Sequence, residues 1–266
     1  MTKKIGFIGG GNMAGAIIGG IISSDYASAS DIFVYDKNPE ALNKLNDLYN
    51  INPDLSLCDV CLSDIIFLSV KPNVIYSVIK EIKDKINPNA TIVSIAAGQS
   101  IEKLTNAFSD SSLKIARVMP NTPALVGEGM SAVSFNQNVN DEEIDTVMNI
   151  LKSFGKAEIV PENLMDTVTA VSGSSPAYIF MLIEAMADAA VLGGMQRAQA
   201  YTFAAQSVLG SAKMVLELPN HPGELKDMVC SPGGTTIEAV KILENDGFRS
   251  SIMNAIDACI KKSKSL

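Results

Sequence analysis

Residues 5–14 read Ile5-Gly6-Phe7-Ile8-Gly9-Gly10-Gly11-Asn12-Met13-Ala14, a short apolar run that breaks into three glycines and resumes with helical spacing. The stretch fits G-x-G-x-x-A in the setting that pattern requires, a strand before it and a helix after it. Each small residue has its own task. Gly9 permits a tight turn, Gly11 lets the backbone approach a pyrophosphate, and Ala14 lets helix and strand pack closely. The helix, from Met13 to about Ser23, offers its first amides and their positive potential to the phosphates.

Working outward, Asp31–Asp36 is a second strand, and Asn38-Pro39-Glu40 opens a helix with a cap and a proline at its first position. Asp64–Val70 is a continuously apolar third strand, the pattern of one buried on both faces. Thr91–Ala96, Lys114–Met119, Met130–Phe135 and Ala157–Val160 follow, with a helix over Asp141–Phe154. Strands alternating with helices predict parallel pairing through right-handed crossovers, hence a doubly wound α/β sheet over residues 1–161.

Ligands of such sheets bind beyond the carboxyl ends of the strands. Strand two ends in Asp36, where a carboxylate meets an adenosine ribose and favours NAD, yet Lys37 and Asn38 follow and could meet the extra phosphate of NADP. These residues leave the choice of dinucleotide open. Strand three ends in Ser69-Val70-Lys71-Pro72. Strand four ends in Ala96-Ala97-Gly98, small enough for a nicotinamide to lie against backbone, and strand five in Met119-Pro120-Asn121-Thr122-Pro123.

From Glu162 onward no strand pattern appears, and residues 162–266 read as an all-α domain. Ser174-Ser175-Pro176 caps a long helix that stops at Gly193-Gly194, and helices near Ala198–Leu216, Glu224–Val229, Thr236–Asn245 and Arg249–Lys262 follow. Pro176–Ala190 is apolar on most faces, interrupted by Glu184 and Asp188. A helix apolar nearly all round must be covered on several sides, which predicts a buried subunit interface ahead of a central helix within the monomer.

Composition removes other classes. Across 266 residues the net charge is -8, with hydrophobic residues at 47% and no basic block, which argues against nucleic acid or an anionic membrane as partner. The uncharged stretch Thr167–Ile183 is slightly short for a membrane span and holds Gly173 and Pro176. After Met-Thr-Lys-Lys the chain enters a strand at once, so no signal peptide is read and a cytoplasmic location is expected. One histidine, His221, sits in a Pro/Gly loop and makes a poor catalytic base; a metal site is not expected. Cys58 and Cys61 have C-x-x-C spacing, but Cys230 and Cys259 are singletons, and reduced thiols are the preferred reading.

Cys230–Val240, CSPGGTTIEAV, is a glycine-containing turn that opens a helix: either a well-capped start or an anion cradle. Together with GFIGGGNMA, VKP after strand three, SIAAG, MPNTP, VSGSSPAY and KDMV before the turn, it resembles pyrroline-5-carboxylate reductase from about Lys4 to the C-terminus. The resemblance implies reduction of 1-pyrroline-5-carboxylate to L-proline with NADPH preferred, or NADH. It also implies a Rossmann domain and a helical domain interlocked with a second subunit in a homodimer, with dimers often assembled into a decamer.

By the same resemblance the cofactor lies along Ile8–Met13, Ser69, Val70, Lys71, Pro72, Ile95, Ala96 and Ala97, and the loop Ser231–Thr236 holds the substrate carboxylate across the dimer. The amides of Gly233, Gly234, Thr235 and Thr236 and the Ser231 hydroxyl then form the cradle, and the Thr236 hydroxyl is assigned to the imine nitrogen. Hydride addition to a protonated imine needs placement and a dry pocket more than a strong base. Pro219-Asn220 before His221, and Met228, depart from the family pattern. A hydroxyacid dehydrogenase of the same build would need a lysine acid/base, and Lys213 and Lys226 sit on polar helix faces. A dinucleotide sensor would need no carboxylate cradle.

Overall fold

The computed structural model describes residues 3–265. It divides into two compact units, one of residues up to Ser174 joined by those from Cys259 on, the other Ser175–Ala258.

The first unit is built on one eight-stranded sheet in the order β3-β2-β1-β4-β5-β6-β7-β8. The strands are β1 (Ile5–Ile8), β2 (Ile32–Tyr35), β3 (Asn52–Pro53), β4 (Ile65–Leu68), β5 (Thr91–Ser94), β6 (Lys114–Met119), β7 (Gly129–Phe135) and β8 (Gly155–Ile159). The helices between them are α1 (Asn12–Ser23), α2 (Pro39–Tyr49), α3 (Cys58–Cys61), α4 (Ile75–Ile82), α5 (Ile101–Phe108) and α6 (Asp141–Lys152), and α7 (Met165–Val168) follows β8.

Alternation along the strands sorts the core into two layers, because successive side chains point to opposite faces. Ile5, Phe7, Ile65 and Phe67 join the layer with α1, α2 and α6. Ile8, Ile66 and Leu68 join the other, with α3, α4 and α5. Phe7 and Phe67 stand opposite each other in the β1/β4 register, their rings stacked at 4.7 Å. Apolar side chains on both faces explain why β1 and β4 read as unbroken hydrophobic runs.

Strand pairing differs from the sequence expectation at one place. β6 and β7 pair antiparallel, Ala116 with Phe135 and Met119 with Ala132, while the other neighbours in the sheet are parallel. The connection over residues 120–128 is a 3₁₀ turn at Thr122–Val126, shorter than the dozen or so residues a parallel crossover requires. α6 then supplies the crossover that makes β8 parallel to β7.

The second unit holds α8 (Ser175–Leu192), α9 (Arg197–Glu217), α10 (Pro222–Val229), α11 (Thr235–Asn245) and the start of α12 (Phe248–Lys264). α8 and α9 pack together, with Ala187, Ala200 and Ala204 buried. No cap starts α8. The chain enters it directly from α7 through a π-helical turn at Thr169–Gly173, and that wider turn sits just before Pro176, which cannot donate a backbone hydrogen bond. The resulting helical run, Glu162–Leu192, is longer than the sequence reading gave and is long and apolar enough to cross a membrane. Asp166, Glu184 and Asp188 lie within it. Of the residues of α8, Pro176 and Ala187 are buried in the single chain. Phe180, Met181, Phe203 and Leu209 are exposed, an apolar surface of the kind that marks an interaction face.

Candidate active site

The glycine loop is fixed by the strands on either side of it. The Gly9 N–H donates to Tyr35 O at 2.8 Å, and the Ser69 N–H donates to Ile8 O at 2.8 Å. Gly9 has φ +103, and a Cβ there would stand 2.5 Å from Ser69 O, so only glycine fits. Gly11 is different. Its φ of -73 suits any residue, and a Cβ there would meet nothing within 4 Å. Neither backbone strain nor packing inside this chain accounts for a glycine at Gly11. Close approach by something from outside accounts for it, at a helix N-terminus whose first turn carries no acidic side chain. Nearby, the Ser69 Oγ is buried with no hydrogen-bond partner. An open cradle at Gly11 and a spare hydroxyl donor at the end of β4 both fit a dinucleotide.

Asp36 is the clamp of this loop. Its Oδ2 accepts from the Gly10 N–H at 2.6 Å, and its Oδ1 accepts from the Asn38 N–H at 2.8 Å. Asn38 in turn caps α2, accepting from the Glu40 N–H at 3.0 Å. The carboxylate therefore holds the glycine loop to the start of the β2–α2 connection. Replacing Asp36 with alanine is expected to cost about 1–2 kcal/mol and to lower the melting temperature of the dinucleotide-free protein by roughly 3–8 °C. An unchanged melting curve would show that the clamp contributes nothing to the fold.

Ile8, Gly9, Asp36 and Val70 line a cleft of about 200 Å³ at the carboxyl ends of β1, β2 and β4. Its other walls were not legible as site residues. Leu57, Val74, Ser77 and Glu81 come from the α3 and α4 side, with Ser77 and Glu81 on the polar face of α4. Gly11 and Asn12 line a separate hollow beside α2. Met13 packs partly buried against the core, and Lys71 and Pro72 open the 3₁₀ turn that leads into α4.

At the end of β5 the Ile95 N–H donates to Leu68 O at 3.3 Å, Ala96 is buried and Ala97 half-buried. The following turn is held twice, by the Lys103 Nζ donating to Gly98 O at 3.0 Å and the Tyr76 hydroxyl donating to Gln99 Oε1 at 2.6 Å. Asn121, after β6, accepts from the Met130 N–H at 2.8 Å through Oδ1, and its Nδ2 donates to Ser172 O at 3.3 Å. It thereby ties the β6–β7 corner to the π turn. Arg117, buried in β6, pairs with Glu162 at 3.1 Å.

In the second unit Gly233 takes φ +65, and the Gly234 N–H donates to Ser231 O at 3.0 Å, closing a turn at the start of α11. A Cβ at Gly234 would stand 2.5 Å from Ser231 Oγ. The Gly234 amide, expected as a cradle donor, is thus used within the loop. The amides of Thr235 and Thr236 begin the helix, where first-turn donors have no intrahelical acceptor. Ser231, Gly233 and Thr235 are exposed, and Thr236 is half-buried.

The remaining titratable residues have structural roles. His221 caps α10, its Nδ1 accepting from the Gly223 N–H at 3.1 Å. Lys213 pairs with Glu217 at 3.5 Å on an exposed face, and Lys226 pairs with Asp227, so neither is a poised acid/base. Burial pushes the Cys61 thiol up to about 11, which keeps it protonated and unreactive. The four cysteines are free. Among the described residues no group of three or more His, Cys, Asp or Glu side chains gathers around a point.

A doubly wound sheet with this glycine loop, continued by a helical unit, defines an NAD(P)-dependent oxidoreductase. Residues 4–98 match the family model described as NADP oxidoreductase coenzyme F420-dependent, and residues 162–266 match that of pyrroline-5-carboxylate reductase dimerisation. The pyrroline-5-carboxylate reductase of Escherichia coli is 53% identical over 100% of this chain and 99% of its own length. That of Methanosarcina acetivorans is 42% identical over 100% and 98%. The NADP-bound crystal structure of Plasmodium falciparum pyrroline carboxylate reductase superposes with a TM-score of 0.90 at 34% identity, covering 99% of this chain and 97% of that one. The chain belongs to the pyrroline-5-carboxylate reductase family, and its helical part is that family's dimerisation domain. Prephenate dehydrogenase from A. aeolicus, at 16% identity and a TM-score of 0.56, shares the fold alone.

Proposed function

We propose that the chain reduces 1-pyrroline-5-carboxylate to L-proline, the last step of proline biosynthesis, with NADPH or NADH as hydride donor. The observation that carries this reading is a second anion-ready helix start. A sensor of dinucleotides needs only the loop at Gly9–Gly11, whereas this chain also bends Ser231–Gly234 into a turn that opens α11.

A reduced nicotinamide, when bound, supplies the hydride. Gly11 and the first turn of α1 would hold the pyrophosphate, Ser69 and the turn Val70-Lys71-Pro72 would hold the middle of the cofactor, and Ile95, Ala96 and Ala97 would hold the nicotinamide. The amides of Gly233, Thr235 and Thr236 with the Ser231 hydroxyl hold the substrate carboxylate. The Thr236 hydroxyl accepts from the N–H of the protonated imine and so turns the C=N carbon toward the hydride. Addition of the hydride to that carbon moves the C=N π electrons onto nitrogen and leaves a neutral ring amine. No side-chain base is needed, which suits a chain whose one histidine caps a helix.

Residues 1–161 are the dinucleotide-binding part in this reading and 162–266 the dimerisation and substrate part. The exposed apolar side chains of α8 and α9 are covered by a second copy, in an interlocked homodimer whose Ser231–Thr236 loop serves the partner's cofactor; assembly of dimers into a decamer is the further step. A partner copy would also shield the exposed loop from water, as hydride transfer requires. Four free cysteines suit the cytoplasm. The test is NADPH oxidation by purified protein on addition of 1-pyrroline-5-carboxylate. L-proline formed in step with NADPH consumed supports the reading. Dinucleotide binding without turnover overturns it.

A further inference from the structure

Three charged side chains meet in the cleft beside the glycine loop: Asp36 and Lys37 after β2, and Glu81 from α4. The usual rule would give Asp36 the choice between dinucleotides, through a hydrogen bond to the ribose or repulsion of a 2′-phosphate. Here both Asp36 oxygens are already bonded to backbone, to the Gly10 and Asn38 amides. Its position is therefore set by the loop it clamps. Among the described residues the lining holds one cation, Lys37, and that cation is not idle. Its Nζ stands 3.7 Å from Glu81 Oε2, with the Lys37 side chain 72% exposed and that of Glu81 40% exposed.

A 2′-phosphate brings close to two negative charges into this cleft. Its natural counter-ion is Lys37, whose ammonium it has to share with Glu81. It also has to sit beside the Glu81 carboxylate. A ribose with a free 2′-hydroxyl meets neither cost. We propose that Glu81 is a specificity-determining residue, which lowers the affinity for NADPH relative to NADH by holding Lys37. The inference rests on the dinucleotide reading of the cleft and extends it to a residue on α4 that neither the glycine loop nor the end of β2 would point to.

The test compares dissociation constants for NADPH and NADH, read from nicotinamide fluorescence on the intact chain, for the unaltered protein, Glu81→Gln, Lys37→Gln and the double variant. Lys37 is exposed and Glu81 partly so, and melting curves serve as a check that the variants fold. Glu81→Gln is expected to tighten NADPH about three- to fivefold and to move NADH less than about twofold, the size of a surface ion pair. Lys37→Gln is expected to weaken NADPH and to remove most of the gain from Glu81→Gln, because the pair acts as a unit. Equal changes for both dinucleotides, no change, or a full gain in the Lys37→Gln background would overturn the proposal. If the unaltered protein binds neither dinucleotide, the cofactor reading itself fails, and the proposal with it.

Discussion

Valine in place of Gly11 is expected to raise the dissociation constant for NADPH about a hundredfold or more while leaving the protein folded, the loss corresponding to one or two charge-assisted hydrogen bonds to phosphate. The backbone at Gly11 is extended, and the space around its missing Cβ is open, so the fold has no objection to a larger side chain. The pyrophosphate does, because the side chain fills the volume through which it reaches the first amides of α1. Gly9 makes the control. There φ is +103 and a Cβ would collide with Ser69 O, so Gly9→Val is expected to lose stability as well as binding. Fluorescence titration alongside thermal melts separates the two cases. A folded Gly11→Val protein that binds NADPH normally would move the phosphate site elsewhere.

The second large effect belongs to Thr236. Thr236→Val keeps the shape of the side chain and removes the hydroxyl. It is expected to lower kcat/KM for 1-pyrroline-5-carboxylate about ten- to a hundredfold, the range for a hydrogen bond to a charged group. The dissociation constant for NADPH should not move, because the hydroxyl is assigned to the imine and not to the dinucleotide. Steady-state kinetics and a cofactor titration on the same preparation test both halves. Unchanged turnover would remove Thr236 from the reaction and leave the carboxylate cradle without an orienting group.

These two residues also show what a sequence can disclose. Gly11 was legible because the demand on it is local: a strand, a turn and a helix start lie within ten residues, and each constrains the next. The buried strands were legible for the same reason, since Ile65–Leu68 between two core layers has to be apolar at every position. The antiparallel β7 was not, because its direction is set by the length of the 120–128 connection and not by its own residues. The π turn before Pro176 was hidden behind an ordinary serine cap signal, Ser174-Ser175. Glu81 was invisible for another reason. A carboxylate on the polar face of an amphipathic helix looks like any solvated side chain until the fold brings Lys37 beside it. The Gly234 amide was misassigned as a free donor, since whether a turn amide is spent within its own loop depends on a closure that only coordinates reveal.

The most direct measurement of the central claim follows the hydride itself. NADPH carrying deuterium at the transferable position of its nicotinamide is incubated with the protein and 1-pyrroline-5-carboxylate, and the product is examined by mass spectrometry and NMR. The account predicts L-proline with one deuterium, at C5, formed in step with NADPH consumed. Proline without deuterium, or no proline while NADPH is bound, would contradict it.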